Sequence, residues 1–451
     1  MQNSNRMSRR HFLQVAGVGA ASAFALAACP APVAVPSSGS SEGSAPAAEK
    51  VVLTFGHHWE AAFRPVQEEF DKKYAEQHPG VEFEYTYNTW GDHNQIVPTW
   101  AAANTLPDII YVHGSRSFPW AFEGIIINIQ DQVDQDEAFN VKGIWEESLR
   151  LYRFKGNLVG IPYDHGSIIL GYNKDIFDAA GEAYPDNTWT MDKFREVALK
   201  LTKLEGDQPQ WGWSGDNPNF GNGDNDCMLR PWGAQEMNDI EDKLMLDTPE
   251  AAAAVQFWVD LITVDKSAPT PADSQAFEQG AFIAGRVAMH KVASWSTPTL
   301  KEFASFNWDV AAWPKATTRG CGAFGSGFSI TRDSKHVEAA WQYMSAYLSK
   351  EGMEEMWGRS GRGSPAREAA YESWMNSASA PDNAQAYLEA LNTYAITSSP
   401  FQTLAAAELN DICARQATLL RNGEANVTDA LAAIMAEGQP VLDEATARAK
   451  G

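Results

Sequence analysis

Apolar positions between residues 51 and 112 switch repeatedly between two periods. Val51-Val52-Leu53-Thr54-Phe55 is a continuous apolar run of strand length, after which Val66, Phe70 and Tyr74 return every four residues, as on one helix face. His78-Pro79-Gly80 stops that helix. Val81, Phe83, Tyr85 and Tyr87 then alternate with Glu82, Glu84 and Thr86, the pattern of a strand. A second helical stretch from about His93 to Ala103 leads into Asp108-Ile109-Ile110-Tyr111-Val112. Strand, helix, strand, helix, strand with connections of this length predicts a parallel, doubly wound α/β sheet. Beyond Pro162, an apolar run entering Tyr172-Asn173-Lys174-Asp175 reads as a strand feeding a helix. Thr188 to Phe194 opens another helix, with Val197, Leu201 and Leu204 continuing its apolar face.

Ligands of such sheets bind outside the carboxyl ends of the strands. Here those ends carry Gly56-His57-His58-Trp59, Asn88-Thr89-Trp90-Gly91-Asp92 and His113-Gly114-Ser115-Arg116, which brings aromatic, imidazole, carboxylate and guanidinium groups to one edge. His57, Trp59, Trp90 and Asp92 are site candidates on this argument. The alternative for Trp59 and Trp90 is packing, and Trp211 and Trp213 read as core.

The first 29 residues add a destination. A basic stretch precedes a 14-residue apolar run, Val15 to Ala28, which is too short to span a bilayer, and Cys29 follows. Ser8-Arg9-Arg10-His11-Phe12-Leu13 resembles a twin-arginine export motif, and Leu26-Ala27-Ala28-Cys29 a lipoprotein cleavage site with Cys29 as the lipidated residue. Residues 30–50 are almost entirely Pro, Ser, Gly, Ala and Val, a tether reaching at most about 70 Å.

With 451 residues, 44% of them hydrophobic, the chain is long enough for two lobes with real cores. Its net charge is −23, and cleavage before Cys29 would remove Arg6, Arg9 and Arg10 and make it three units more negative. Such a surface repels phosphate backbones, which argues against nucleic-acid partners. Sixteen Trp, 21 Phe and 13 Tyr hint instead at a site of flat apolar faces. Beyond Cys29 the count of three cysteines allows at most one disulfide, for which Cys227 and Cys321, both read as lying in Gly-rich loops, are the candidate pair; Cys413 reads as a small core residue.

Motifs in order carry a family resemblance. Pro107-Asp108-Ile109-Ile110 comes first, and Gly160-Ile161-Pro162 is followed ten residues later by Tyr172-Asn173-Lys174-Asp175 and then Thr188-Trp189. Phe277-Glu278-Gln279-Gly280 precedes Ala288-Met289 and Ser294-Trp295-Ser296, and Gly327-Phe328-Ser329-Ile330, the helix Glu338 to Leu348 and Gly361-Arg362-Gly363-Ser364-Pro365-Ala366 complete the series. Together they resemble the extracellular solute-binding proteins of sugar ABC transporters, the maltose-binding-protein-like family (family 1).

That resemblance implies a two-lobed periplasmic-binding-protein-like α/β fold of type II, each lobe a doubly wound sheet. Residues 1–28 would be the signal peptide and 29–50 the lipidated cysteine and linker. Lobe 1 would be 51–164 with 325–364, and lobe 2 would be 168–320 with 367–449. Crossovers fall near Asp164–Ser167, Cys321–Gly325 and Ser364–Arg367, and the Gly density at 320–327 suits a hinge. By position, Arg116, Trp295 and the loop Asp164–Gly166 carry over as pocket residues, although Val112 and Ser115 stand where the family can place an aromatic and an acidic residue. Trp232 and Arg362 are further candidates. The expected function is capture of a carbohydrate between the lobes and delivery to ABC permease subunits by a lipid-anchored, extracytoplasmic monomer, with no catalytic residue, cofactor or metal.

Other motifs fail their context. Gly320-Cys321-Gly322-Ala323-Phe324-Gly325 fits a dinucleotide-binding glycine pattern, yet a strand-like stretch follows where a helix is required. Gly358-Arg359-Ser360-Gly361 lacks the glycine spacing of a nucleophile elbow. Adjacent His57 and His58 rarely ligate one ion together. Two alternatives stay open: a secreted glycoside hydrolase, which needs a pair of carboxylates about 5–9.5 Å apart, and the same fold holding a peptide, polyamine or phosphate ester.

Overall fold

A computed structural model describes residues 50–215, 218–220, 225–397 and 402–451. The export segment, Cys29 and the tether up to residue 49 lie outside the described residues.

The first sheet follows the expected order. β1 (Val51–His57), β2 (Val81–Tyr87) and β3 (Ile109–His113) are parallel, joined by α1 (Arg64–Gln77) and α2 (Trp90–Ala103). Two later segments complete it, because Ser326–Ile330 pairs antiparallel with β3 in the register Ser326↔His113 to Ile330↔Ile109, and Ile161–Pro162 lies beyond. α2 begins three residues earlier than its apolar period suggests. Thr89 caps it by accepting from the Asp92 N–H at 3.2 Å, and its hydroxyl donates to the Asp92 carboxylate. α3 (Gly114–Phe122) leaves β3 directly and puts Ser115 and Arg116 in its first turn.

The second sheet is built around Gly166–Asn173, whose eight residues are all buried. Val287–Ala293 pairs with one side of this strand, while Cys321–Phe324 and Trp308–Ala311 share the other. Trp211–Ser214 and Ala395–Thr397 form the edges. The helix Met191–Leu201 packs Phe194, Val197 and Leu201 into this core but ends before Leu204, which is 42% exposed. Thr202 turns extended there. Each sheet has its own buried apolar cluster, so the chain buries two cores.

Cys227 and Cys321 are buried free thiols, not a disulfide. Neither is in a loop: Cys227 lies in the helix Asn225–Leu229 and Cys321 in a strand, and the Gly322 N–H points at the Cys227 Sγ at 3.4 Å. Cys413 is buried in the helix Ala406–Arg421 as core.

Three segments run side by side between the sheets. Tyr163 N–H donates to the Ser326 carbonyl at 2.8 Å, Ala366 N–H to the Tyr163 carbonyl at 3.0 Å, and His165 N–H to the Ser364 carbonyl at 3.1 Å. The Asp164 carboxyl accepts from the Ser326 N–H at 2.5 Å. Gly325 lies where a strand of one sheet passes into a strand of the other. A Cβ there would sit 2.6 Å from the Asp164 carbonyl oxygen and 2.8 Å from the Ser148 hydroxyl. Gly325→Ala must therefore spread these segments, and we expect it to lower unfolding free energy by about 1–3 kcal/mol, read by urea denaturation. An unchanged midpoint would contradict this packing.

Candidate functional site

A cavity of about 590 Å³ opens between the two sheets, against the crossing segments. Period-2 alternation explains what β1 sends into it. Leu53, Phe55, His57 and Trp59 all turn inward and are at most 2% exposed, so the neighbours His58 and Glu60 line the cavity. His57 and Trp59 are therefore core residues: His57 accepts from the His58 N–H, and Trp59 packs edge-on against Trp357 at 5.4 Å.

Asp92 is exposed and occupied in capping α2, and it does not line the cavity. Trp232 packs against Phe257 at 5.1 Å, away from the cavity. Trp90, Arg116, Asp164, Trp295 and Arg362 do line it. So do groups not named as site candidates from the sequence, among them Tyr111, His113, Tyr163, Phe324 and Ser326, and Asn410 from the helix Ala406–Arg421. The strand-end loops signalled His58, His113 and Ser115. Nothing local signals Asn410, which tertiary folding alone brings in.

Trp295 is placed by glycines. The neighbouring Gly166 has no room for a Cβ, which would meet the Ser294 hydroxyl at 2.1 Å and the Trp295 ring at 3.1 Å. The Trp295 ring meets Phe324 edge-on at 6.0 Å. On the first sheet's side, Trp90 is 50% exposed and its indole N–H donates to the Tyr111 hydroxyl at 2.9 Å, which is 3.0 Å from the Ser326 hydroxyl. Apolar faces thus flank a strip of hydroxyls.

The charged groups are held differently. Arg362, only 7% exposed, makes a two-pronged pair with Glu60, both bonds at 3.0 Å. Burial pushes the Asp164 carboxyl up to about 7, against the opposing pull of the Ser326 N–H and the Arg362 charge. Arg116 is half-buried and makes no hydrogen bond or ion pair among the described residues. Burial lowers its pKa, with no carboxylate offsetting it.

A second cavity of about 410 Å³ shares Trp90, Arg116 and Ala406 with the first and continues between α2, α3 and residues 403–407. The two chambers meet at the Trp90 and Arg116 side chains.

The family of bacterial extracellular solute-binding proteins matches residues 69–398, most of the chain. The chain belongs to that family. This solute-binding protein is 24% identical over 330 residues to the arabinooligosaccharide-binding protein of Bacillus subtilis, covering 70% of this chain and 73% of that one. To the lactose-binding protein of Rhizobium radiobacter it is 24% identical, covering 65% and 69%. In structure it is similar to the ABC substrate-binding protein Lmo0181 from Listeria monocytogenes, solved in complex with cycloalternan. That match has a TM-score of 0.79 at 20% identity over 88% of this chain and all of that one. The cyclic alpha-maltosyl-1,6-maltose binding protein from Arthrobacter globiformis matches with a TM-score of 0.73 at 20% identity, over the same shares. These likenesses give the solute-binding protein its two-lobed type II fold and an extracytoplasmic place of work.

Five histidines set an acid limit. Burial holds His57 and His58 well below the ordinary histidine value and His93, His113 and His165 down at about 4. As pH falls from about 6.5 the unfolded chain takes up protons that these folded histidines refuse, so stability falls. Burial raises Asp71 to about 6 and Asp164 and Glu241 to about 7, which works the opposite way over the same range. Five groups oppose three. The melting temperature should therefore rise between pH 4.5 and 6.5, and a fall over that interval, followed calorimetrically, would contradict the assignment.

Proposed function

We propose that this protein captures a carbohydrate in the cavity between its sheets and passes it, chemically unaltered, to the permease of an ABC transporter. The observation that carries the reading is the pairing of cavity-lining aromatic rings with fixed polar groups. Trp295 and Phe324 stand on one side and Trp90 on the other, with Tyr111, Ser326, Asp164 and the Glu60–Arg362 pair between them. Sugars present weakly apolar C–H faces and rings of hydroxyls, and this arrangement suits both. Covering 50–100 Å² of ring face contributes roughly 1–2.5 kcal/mol per platform, and each unmet buried hydrogen bond costs about 1–3 kcal/mol. Aromatic faces give affinity while the polar strip selects. The relatives named for arabinooligosaccharides and lactose support the same guest class.

Residues 51–164 with 325–364 and residues 168–320 with 367–449 act as lobes that close over the guest. A solute touching both walls favours the closed form, because only a difference in affinity between the two forms shifts their balance. Export through the twin-arginine motif and lipidation at Cys29 hold the protein, as a monomer, at the membrane, while residues 30–50 let its body reach the permease. Energy for transport comes from ATPase subunits on other chains.

Glu60 and Asp164 are two carboxyls in one cavity, the minimum a glycoside hydrolase requires. Glu60 is bound to Arg362, which suits a positioning group better than a free nucleophile. A thermal-shift screen over mono- and oligosaccharides should find a ligand that stabilises by about 2.7 kcal/mol at a hundredfold excess over its Kd, recovered intact by mass spectrometry. Silence across the panel, or cleaved product, overturns the reading. Trp295→Ala should weaken that binding more than about tenfold, and unchanged affinity by calorimetry would remove Trp295 from the site.

A further inference from the structure

Among the described residues, the cleft of this strongly acidic protein carries one positive charge that no carboxylate pairs, on Arg116. Glu60 and Arg362 neutralise each other through two hydrogen bonds, and the Asp164 carboxyl, which burial pushes up to about 7, is already bound to the Ser326 N–H and makes no bond to Arg116. His58 and His113 are held neutral by burial. Arg116 is left over. Ser115 beside it offers a hydroxyl 2.8 Å from His113 Nδ1 where a carboxylate would have balanced the guanidinium. Among the described residues lining either cavity, the remaining acid is Glu123, exposed on the wall of the second and with no bond to Arg116.

Partly burying a guanidinium strips away water, and the loss is recovered when a charged acceptor arrives. Uncharged hydroxyls recover less, because a carboxylate adds an opposite charge and two parallel acceptor oxygens to bonds that the guanidinium already charge-assists. The planar fork of Arg matches the two oxygens of a carboxylate. Its position selects one part of the guest, because Arg116 stands with Trp90 where the two cavities meet.

Resting on the carbohydrate reading above, we infer that the solute is an acidic saccharide, with a uronic-acid carboxylate received by Arg116 on the wall that the two cavities share.

The test is calorimetry on the mature protein with matched pairs: galacturonate, glucuronate and mannuronate oligosaccharides against their galactose, glucose and mannose counterparts, with sugar phosphates as a separate arm. At least one uronate should bind about tenfold tighter than its neutral partner, and raising ionic strength should narrow the gap. Arg116→Gln should collapse that ratio, and Arg116→Lys should restore part of it. A merely structural role would weaken acid and neutral binding alike. Neutral saccharides binding at least as tightly as every uronate would overturn the inference and leave the carbohydrate reading standing. So would a uronate preference that survives Arg116→Gln, or sugar phosphates binding where uronates do not. Silence from every saccharide would overturn both.

Discussion

The hydrogen bond from Ser326 N–H to the Asp164 carboxyl holds together the place where the chain changes sheets. Around it the crossings at 163–165, 324–326 and 364–366 are bonded to one another through their backbones. These crossings help to keep the two cores in register, beside side-chain bridges such as Gln402 Nε2 donating to the Gly114 and Leu151 carbonyls at 2.9 and 2.8 Å, and the same segments form one wall of the cavity. Structure and site thus share the crossing region. The cost falls on Asp164, whose carboxyl is buried enough to be raised to about 7. A carboxyl poised near neutrality both donates and accepts, which suits a surface facing hydroxyls.

Three kinds of wall meet at the cavity, each with a separate task. The strand ends of the first sheet supply imidazole and acid, the second sheet supplies the Trp295 face, and the crossings supply Ser326 and Arg362. No one element forms a binding surface by itself. On the proposed function, a guest that touches all three would favour a closed arrangement over an open one, and that coupling would link recognition to delivery.

Much of the first sheet was legible because its signals are local. Alternation along Val81–Tyr87, the four-residue spacing of Val66, Phe70 and Tyr74, and the stop at Pro79 need no distant partner. The same alternation carried past Phe55 sorts His57 and Trp59 inward from His58 and Glu60, but only once the strand is known to continue to His57. Ending β1 at Phe55 hides that phase. Asp92 was misleading for a related reason, since a carboxylate three residues after Thr89 accepts from the hydroxyl of the capping residue before it is a ligand group. Trp232 and the tryptophans of the second core share a composition signal with Trp295, and only the tertiary fold separates packing from platform. Ser326–Ile330 pairing with β3 and Asn410 entering the cavity are contacts across long stretches of chain, beyond the reach of periodicity.

Native mass spectrometry of the protein purified gently from its own cells tests the central claim most directly. A retained saccharide, bound one to one and released with its glycosidic bonds intact after prolonged incubation, is the predicted result. A peptide, a polyamine or hydrolysed fragments of the original sugar in its place would contradict the account.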